Sequence, residues 1–334
     1  MSGDYLIPFA KMSGITSFAS LSTVKKLLST KKVGHTGTLD SFADGLLVLL
    51  TGKMTRLASF IEAKDKEYEA ILCFGKETDT LDTEGLILCE KPLPLYYDVL
   101  MVLTQFLGDI MQIPPSYSAL HVGGKRASDI ARSGKEVVLS SRKVNIHDIT
   151  IEGVQFQNED VFFKPQEVSE NKRLKFLHIH LKCSKGTYVR SLARDIGRAC
   201  GSLAYLVALR RLAIGHFNLK DAFGFELLPS FGSEKVLKKD FVVYKKNIDD
   251  YKMSFTKQLC SQLGFLYLEI KPDFRKSFVS GKDIKENWFF DFDREKYVVL
   301  KNDAIFVFAF DSLLGVIECS KEKYRYRCVL KGNE

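Results

Sequence analysis

The chain has 334 residues, of which 46% are hydrophobic and 27% charged, and its formal net charge is +8 at pH 7. This length predicts two domains, or one large domain with a smaller appendage, and enough apolar residues for a sizeable core. No apolar run approaches the roughly 18 residues of a membrane span, and the N-terminus lacks a secretory signal, so we expect a cytoplasmic protein without membrane association. Seven scattered cysteines without a CxxC pair disfavour zinc ribbons and redox motifs.

The positive charge is concentrated in one part of the chain. Residues 121–220 hold 18 Lys and Arg against 9 Asp and Glu, whereas the remaining 234 residues hold 31 and 32. A concentrated basic excess favours a polyanionic partner, with nucleic acid first. The alternative is an ordinary solvated basic face.

In chain order, the first predicted elements surround a glycine-containing loop. Residues 14–30 predict a turn and then a helix that Thr16 or Ser17 can cap. The inward stripe of this helix is expected to be Phe18, Leu21, Val24 and Leu28. The loop 34–40 follows, then a buried strand over the apolar run 46–50 and a short helix around 54–61. Alternation over 68–74 predicts a strand, and 97–106 predicts a helix.

The second half of the chain continues this mixture and then changes character. Residues 174–183 predict a strand, and Thr187 is expected to cap a helix that runs to about residue 200. The buried stripe of that helix is predicted as Val189, Leu192, Ala193, Ile196 and Ala199, with Arg190, Arg194 and Arg198 on the other face. These elements indicate an α+β fold. After about residue 245, short runs at 265–270, 297–300, 304–310 and 314–318 predict a small, mostly β C-terminal domain.

Asp40 ends the loop Gly34-His35-Thr36-Gly37-Thr38-Leu39-Asp40, in which small residues permit close backbone approach to a large substrate. Taken alone, a loop aspartate can cap a helix, pair with a basic residue, bind a metal, or act as a nucleophile or base. A metal site needs several converging ligands, and no acidic cluster surrounds Asp40 in the sequence. The GxxxxGK[ST] pattern of a phosphate-binding loop is also absent.

Six segments, which follow one another in a fixed order along the chain, narrow the possible roles of Asp40. They are Lys11–Ser17, the Asp40 loop, Asp65–Ala70, Gln112–Leu120, Gly186–Arg190 and Leu209–Leu212. In order and approximate spacing they resemble the TruB family of tRNA pseudouridine synthases over roughly residues 5–215. The chain lacks the long basic extensions of the archaeal and eukaryotic guide-RNA relatives, so the resemblance is to the bacterial stand-alone enzyme that modifies uridine 55 in the T loop of tRNA.

The resemblance implies a fold and a domain organisation. It implies a pseudouridine synthase fold, with a mixed, mainly antiparallel central sheet flanked by helices, and a small β-rich PUA-like C-terminal domain. We expect the catalytic domain over residues 1–245, with an RNA-gripping insertion at about 110–145, and the PUA-like domain over 246–334. The implied partner is the T stem-loop of tRNA. No cofactor, metal or obligatory protein partner is expected, and the family expectation is a monomer.

The resemblance also implies site residues. Asp40 matches the catalytic aspartate, and Arg190 matches the arginine that pairs with it. Tyr68 matches a tyrosine that stacks on the uracil and is placed to help remove its C5 proton. Tyr188 and Leu209 match residues that enclose the base, and His35 matches a histidine that enters the T loop as the nucleotide leaves the stack.

The chemistry of the reaction agrees with these roles, although each residue alone has a plainer interpretation. Isomerisation of uridine involves no net redox change or hydrolysis, and a neighbouring arginine favours the ionised form of a desolvated carboxylate. Taken singly, Tyr68 is a core or edge aromatic, Arg190 a solvated helix arginine and Leu209 a core residue. His178 and His180 share one strand face, and without a third ligand we favour structural roles for them.

Two functions therefore remain open from the sequence, a tRNA uridine isomerase and a non-catalytic tRNA-binding or RNA-folding protein. The chain departs from the family where Met12 and Ser41 replace prolines and Ser128 replaces a tyrosine. Loss of a proline after Asp40 removes a φ constraint but no reactive group. The sequence does not decide whether Asp40 attacks the ribose, attacks the base or removes a C2′ proton.

Overall fold

The computed structural model describes residues 3–165, 171–232, 244, 246–290, 292, 304–320 and 323–330. The elements up to residue 218 are β1 (Leu6–Lys11), α1 (Ser17–Leu27), β2 (Val33–His35), β3 (Asp44–Thr51), α2 (Ala58–Glu62), β4 (Lys66–Phe74), β5 (Lys76–Thr78), β6 (Ile87–Glu90), α3 (Tyr96–Leu103), β7 (Gly108–Gln112), β8 (His121–Val122), β9 (Lys125–Arg126), α4 (Ala127–Arg132), β10 (Arg142–Phe156), β11 (Leu174–Cys183), α5 (Val189–Ala199), β12 (Ala204–Ile214) and β13 (Phe217–Asn218). The later elements are α6 (Lys257–Gln262), β14 (Leu266–Glu269), α7 (Arg275–Val279), β15 (Ala304–Ala309), β16 (Ser312–Ser320) and β17 (Lys323–Val329).

A large sheet organises the first part of the chain. In the described residues it has nine strands, in the order β1-β3-β12-β4-β11-β10-β7, with β2 paired to β3 and β13 to β12. The β3–β12 contact is parallel and the other pairings are antiparallel. The predicted α+β fold with a mixed, mainly antiparallel central sheet is confirmed.

The apolar run in β3 is continuous because this strand is buried on both faces. Leu47 and Leu49 face the core under α1, α3 and α5. Leu46, Val48 and Leu50 face a second core on the other side of the sheet. Alternate residues of a strand point to opposite faces, so a strand buried on both sides has no polar positions to alternate. The prediction of a buried strand here is confirmed.

The second core joins the two parts of the chain. Phe306, Phe308 and Val316 of the C-terminal sheet pack in the same cluster as Leu46 and Leu50. That sheet has the order β14-β15-β16-β17 in the described residues, which confirms a small β-rich C-terminal part. The predicted run at 297–300 lies outside the described residues. No helix in the described part of the chain is long and apolar enough to cross a membrane.

The turn and helix predicted within residues 14–30 are confirmed, but one member of the predicted stripe is wrong. Thr16 caps α1 by accepting a hydrogen bond from the Ala19 amide at 3.1 Å. Leu21 and Val24 are buried as predicted, but Phe18 is 69% exposed. The first turn of α1 instead packs through the small residue Ser17, whose hydroxyl bonds the backbone of the Asp40 loop. Ser17, and not Phe18, therefore occupies the inward position in the first turn of α1.

Two predictions about α5, its capping residue and one member of its buried stripe, are also wrong. Thr187 does not cap this helix, because its hydroxyl donates to the Ser184 carbonyl at 2.9 Å within the preceding turn. Tyr188 is the capping position and makes no side-chain cap bond. Ala199 is exposed, since it lies in the last turn where the helix leaves the sheet, whereas the rest of the predicted stripe is buried.

Candidate active site

A cleft of about 1140 Å³ opens where the loop between β2 and β3 meets the start of α5 and strands β4 and β12. All six residues predicted for the site line this cleft, namely His35, Asp40, Tyr68, Tyr188, Arg190 and Leu209. They come from four separate segments of the chain. The fold therefore brings together residues that the sequence places up to 174 positions apart, as in the hydrogen bond between Arg211 and Gly37.

Asp40 and Arg190 form the ion pair at the centre of the cleft. Arg190 Nη2 donates to Asp40 Oδ1 at 2.8 Å, and Nε lies 2.8 Å from Oδ2. The second contact is close but poorly aligned for a hydrogen bond. The arginine side chain is 4% exposed and the aspartate side chain 34% exposed. The carboxylate is therefore held in place while part of it still faces the cleft.

Arg190 is buried rather than solvated because it has partners on every side. Nη1 donates to the Thr80 carbonyl at 2.7 Å, and Nη2 donates to the Tyr117 carbonyl at 3.0 Å. Both carbonyls belong to loops that cross the start of α5. A buried guanidinium needs several acceptors to offset its desolvation, and these contacts supply them.

Asp82 is a second carboxylate beside Arg190 that the sequence motifs do not mark. Its Oδ2 lies 3.3 Å from Arg190 Nη1, and its side chain is 4% exposed. Oδ1 accepts from the Thr80 hydroxyl at 2.5 Å and from the Glu84 amide at 3.0 Å. Burial raises the pKa of Asp82. The preceding residue, Leu81, has φ +63, an uncommon conformation for a branched side chain, and such outliers gather at functional sites.

Tyr68 and Leu209 form an apolar part of the cleft on the adjacent strands β4 and β12. Tyr68 is 7% exposed and Leu209 6% exposed. Burial raises the pKa of Tyr68 to about 12, although the positive charge of the neighbouring Arg211 acts to lower it. The phenol is therefore neutral at physiological pH.

Arg211 ties the Asp40 loop to β12, and the sequence motif around Leu209 is the only signal for it. Its side chain is among the largest that are fully buried. Nε donates to the Leu46 carbonyl at 2.8 Å and Nη2 to the Gly37 carbonyl at 3.2 Å. Gly45 faces the backbone of Arg211 so closely that a Cβ there would lie 2.4 Å from the Arg211 carbonyl oxygen. The loop and the strand therefore meet through backbone contact as well as through the guanidinium.

Tyr188 is half-buried beside the ion pair. The guanidinium carbon of Arg142 lies 4.5 Å from the centre of its ring, a cation–π contact. The Tyr188 amide donates to Gln112 Oε1 at 2.8 Å. Both partners come from β7 and β10, where the predicted insertion leaves and rejoins the sheet.

His35 lies at the other end of the loop from Asp40. Burial lowers the pKa of His35, and the neighbouring Arg211 lowers it further. Its Nδ1 is buried and has no hydrogen-bond partner among the described residues. The imidazole is thus neutral at physiological pH and not committed to a protein contact through that atom.

Lys11 fixes the backbone just after Asp40, where Ser41 replaces a proline. The buried Lys11 ammonium donates to the carbonyls of Met12 at 2.9 Å, Ile15 at 2.7 Å and Ser41 at 3.3 Å. The Ser41 hydroxyl donates to the Glu84 carboxylate. Hydrogen bonds at this position therefore hold the backbone that a proline ring would restrict in φ.

The predicted insertion forms a small basic unit on the cleft. It contains the short hairpin of β8 and β9 followed by α4. Arg126, Arg132, Arg142 and Lys143 all line the same cleft as Asp40. Among the described residues, no three His, Cys, Asp or Glu side chains converge as a metal site.

The family model described as "TruB family pseudouridylate synthase (N terminal domain)" matches residues 25–189. The chain is 43% identical to "tRNA pseudouridine synthase B" of Treponema denticola, with 98% of each chain covered. The chain belongs to the TruB family. A second TruB-family protein, "tRNA pseudouridine synthase B" of Treponema pallidum strain Nichols, is 35% identical, with 98% of this chain and 97% of that protein covered.

Solved structures agree with the TruB-family fold. The chain resembles a protein in the "Crystal Structure of a Cbf5-Nop10-Gar1 Complex" with a TM-score of 0.62 and 19% identity, covering 98% of this chain and 85% of that one. It resembles a protein in the "Crystal structure of the archaeal box H/ACA sRNP Nop10-Cbf5 complex" with the same TM-score and 18% identity, covering 99% and 87%. At these identities the likeness concerns the fold alone.

Proposed function

We propose that this TruB-family protein isomerises uridine to pseudouridine in tRNA, at uridine 55 of the T loop, with Asp40 as the catalytic group. The observation that carries the proposal is the part-exposed carboxylate of Asp40, held by the buried Arg190 in a cleft that Tyr68, Tyr188 and Leu209 also line. The names of the relatives support tRNA as the substrate.

The reaction requires few groups. The N1–C1′ bond breaks, the uracil rotates, a C5–C1′ bond forms, and the proton on C5 is lost while N1 gains one. In this proposal Asp40 acts on the ribose or the base, and the contacts of Arg190 with both of its oxygens support that role. Leu209 and Tyr188 limit the movement of the detached base, so that it recombines instead of leaving.

The target nucleotide must leave the folded T loop before it can react. Extrusion of a base costs a few kcal/mol. Stacking on one aromatic ring returns about 1–3 kcal/mol, so Tyr68 could offset much of that cost. Because the Tyr68 pKa is raised to about 12, its phenol keeps its proton at neutral pH, which supports stacking more than a resting general-base role. A neutral His35 suits entry into the space that the nucleotide vacates.

The remaining parts of the chain would bind the rest of the tRNA. In this proposal residues 1–245 are the catalytic domain, the basic insertion at about 110–145 grips the T stem-loop, and residues 246–334 hold the acceptor side. The basic side chains of the insertion on the cleft support the second assignment. We propose that the protein acts as a monomer without an obligatory protein partner.

Asp40→Asn tests the catalytic assignment directly. We expect tritium release from tRNA labelled at uridine C5 to be abolished, while tRNA affinity changes by less than about threefold, because a group used only in the transition state contributes little to ground-state binding. Asp129→Asn is the matched control, since Asp129 lines the same cleft but is paired with Arg132. Normal turnover by Asp40→Asn would disprove the assignment.

The concentrated basic charge also favours a second candidate, a tRNA-binding or RNA-folding protein without catalysis. This function predicts tRNA binding with a steep salt dependence and no isomerisation. Mapping pseudouridines in a deletion strain separates the two functions. Loss of pseudouridine at position 55 alone would support tRNA as the substrate. Loss at a position in another RNA would show that the protein acts on that RNA instead.

A further inference from the structure

Phe18 is the predicted core residue that the fold leaves outside. It lies in the first turn of α1 and is 69% exposed, although the helical stripe predicts it to be buried. Ser17 takes the inward position because its hydroxyl accepts from the Leu39 amide at 2.9 Å and donates to the Leu39 carbonyl at 2.7 Å. The phenyl ring therefore has its surface free for another molecule.

The position of Phe18 in the fold distinguishes it from an ordinary exposed apolar residue. Its ring lines the same cleft as Asp40, Tyr68 and the basic insertion. Single exposed apolar residues are common on protein surfaces, but a large exposed aromatic in a catalytic cleft is not explained by chance exposure alone. An RNA substrate would pass close to this ring on its way to Asp40.

The chain segment that carries Phe18 has only positively charged side chains. The sequence from Tyr5 to Leu39 contains five lysines and no aspartate or glutamate. Lys11 is buried, and among the described residues the other four form no ion pair. Lys25 Nζ lies 5.7 Å from the centre of the Phe18 ring. A second depression of about 400 Å³ is lined by Lys25, Lys26 and Lys31.

We propose that Phe18 is a stacking platform for an unpaired base of the substrate RNA other than the base that reacts, and that the lysines of α1 bind the phosphates beside it. Aromatic faces next to cations are the usual means of holding single-stranded nucleotides. The unpaired lysines of α1 and of the segment that follows it favour an RNA backbone over a protein ligand, because phosphates are bound mainly by Lys and Arg. The inference rests on the proposed function, since it assigns a further contact to the same substrate.

The test measures tRNA affinity and kinetics for the full-length protein with four substitutions. Phe18→Ala and Phe18→Leu remove the aromatic face, and we expect each to raise KM and Kd for an unmodified tRNA transcript by about 5- to 150-fold, with kcat within about threefold. Phe18→Tyr restores the face and is expected to remain within about threefold of the wild type. Phe225→Ala is the control, since Phe225 is 41% exposed and does not line the cleft.

A fluorescent base identifies the stacked nucleotide. We place 2-aminopurine at each unpaired position of a T stem-loop RNA in turn and expect one position to be quenched by the wild type and by Phe18→Tyr, but not by Phe18→Leu. Lys25→Gln is expected to lower the slope of log K against log salt by about one. Equal affinity for all Phe18 variants, or a quenching pattern that does not depend on the ring, would overturn the inference.

These results separate the inference from the proposed function. A wild type that binds tRNA but releases no tritium would refute isomerisation, and the Phe18 affinities would still be measurable. A wild type that turns over normally, together with Phe18→Leu at the same KM, would refute the stacking platform alone. A Phe18→Ala protein that changes only self-association would also refute it, by making the ring a contact between copies of the chain.

Discussion

Replacing Arg190 by lysine tests whether the geometry of the arginine, beyond its charge, supports catalysis. Arg190 donates hydrogen bonds to Asp40 Oδ1 and to the carbonyls of Thr80 and Tyr117. Its Nε also lies 2.8 Å from Asp40 Oδ2, and its Nη1 lies 3.3 Å from Asp82. A lysine keeps the charge but has all its donors on one atom. It cannot span the two carboxylates and both carbonyls, so Asp40 would lose at least one of its directed contacts.

The magnitude follows from the bonds that are lost. A hydrogen bond to a charged group contributes about 1.5–3 kcal/mol. If one such bond to Asp40 matters only in the transition state, the rate constant should fall by about 10- to 150-fold. A weaker contact between the shorter lysine and the buried carboxylate of Asp82 would also lower folding stability, by less than the roughly 3–5 kcal/mol that complete loss of a buried partner costs.

The assay is single-turnover tritium release with enzyme in excess over C5-labelled tRNA, so that product release does not limit the rate. Arg194→Lys is the matched control, because Arg194 lies one turn later on α5, bonds Asp195 and the Ile113 carbonyl, and does not line the cleft. Urea unfolding measures stability separately. An Arg190→Lys protein that is folded and reacts at the wild-type rate would refute the positioning role of the guanidinium.

Three further predictions concern the surroundings of the ion pair. Asp82→Asn should lower the single-turnover rate about tenfold without weakening tRNA binding, because it removes the second carboxylate from a buried guanidinium; an unchanged rate would contradict this. Burial lowers the pKa of Lys11 to about 8 from 10.5. The folded protein thus releases this proton before the unfolded chain does, so the contribution of Lys11 to the unfolding free energy should rise between pH 8 and 10.5, by no more than about 3 kcal/mol. Because Lys66 and several buried cysteines also titrate in this range, the contribution is measured as the difference between the wild type and Lys11→Met in urea titrations at each pH, and a difference that does not change with pH would contradict it. Gly45→Ala should destabilise by about 1–3 kcal/mol more than Gly108→Ala, since both have positive φ but only Gly45 faces a backbone carbonyl; equal urea midpoints would disprove the close contact.

Local patterns predicted much of the fold because they report on burial. The continuous apolar run of β3 and the alternation in β4 each correspond to a strand, and the strand predicted over 174–183 has the same bounds as β11. The helix of residues 96–103 begins one residue before the predicted start and ends with a short 3-10 turn. Hydrophobic periodicity depends only on residues that are close in the sequence, so it can be recognised without the tertiary structure.

The order of the motifs predicted which residues form the candidate site. It did not predict their burial or all of their charged neighbours. The six motifs led to Asp40 and Arg190, and both lie in one cleft. Nothing in the sequence near Arg190 indicates that it is almost fully buried, because its acceptors lie on loops about 70 and 110 residues away. Asp82 was missed for the same reason.

The sequence by itself determined which segments are strands and helices, which residues carry reactive groups, and which family the motifs resemble. Only the tertiary structure decided that Phe18 is exposed in the cleft, that Lys11 holds the backbone at Ser41, and that Arg190 lies between two carboxylates. The physical reason is the same in each case. Burial and charge pairing depend on groups that are distant in the chain, and these are specified only when the sheet brings them together.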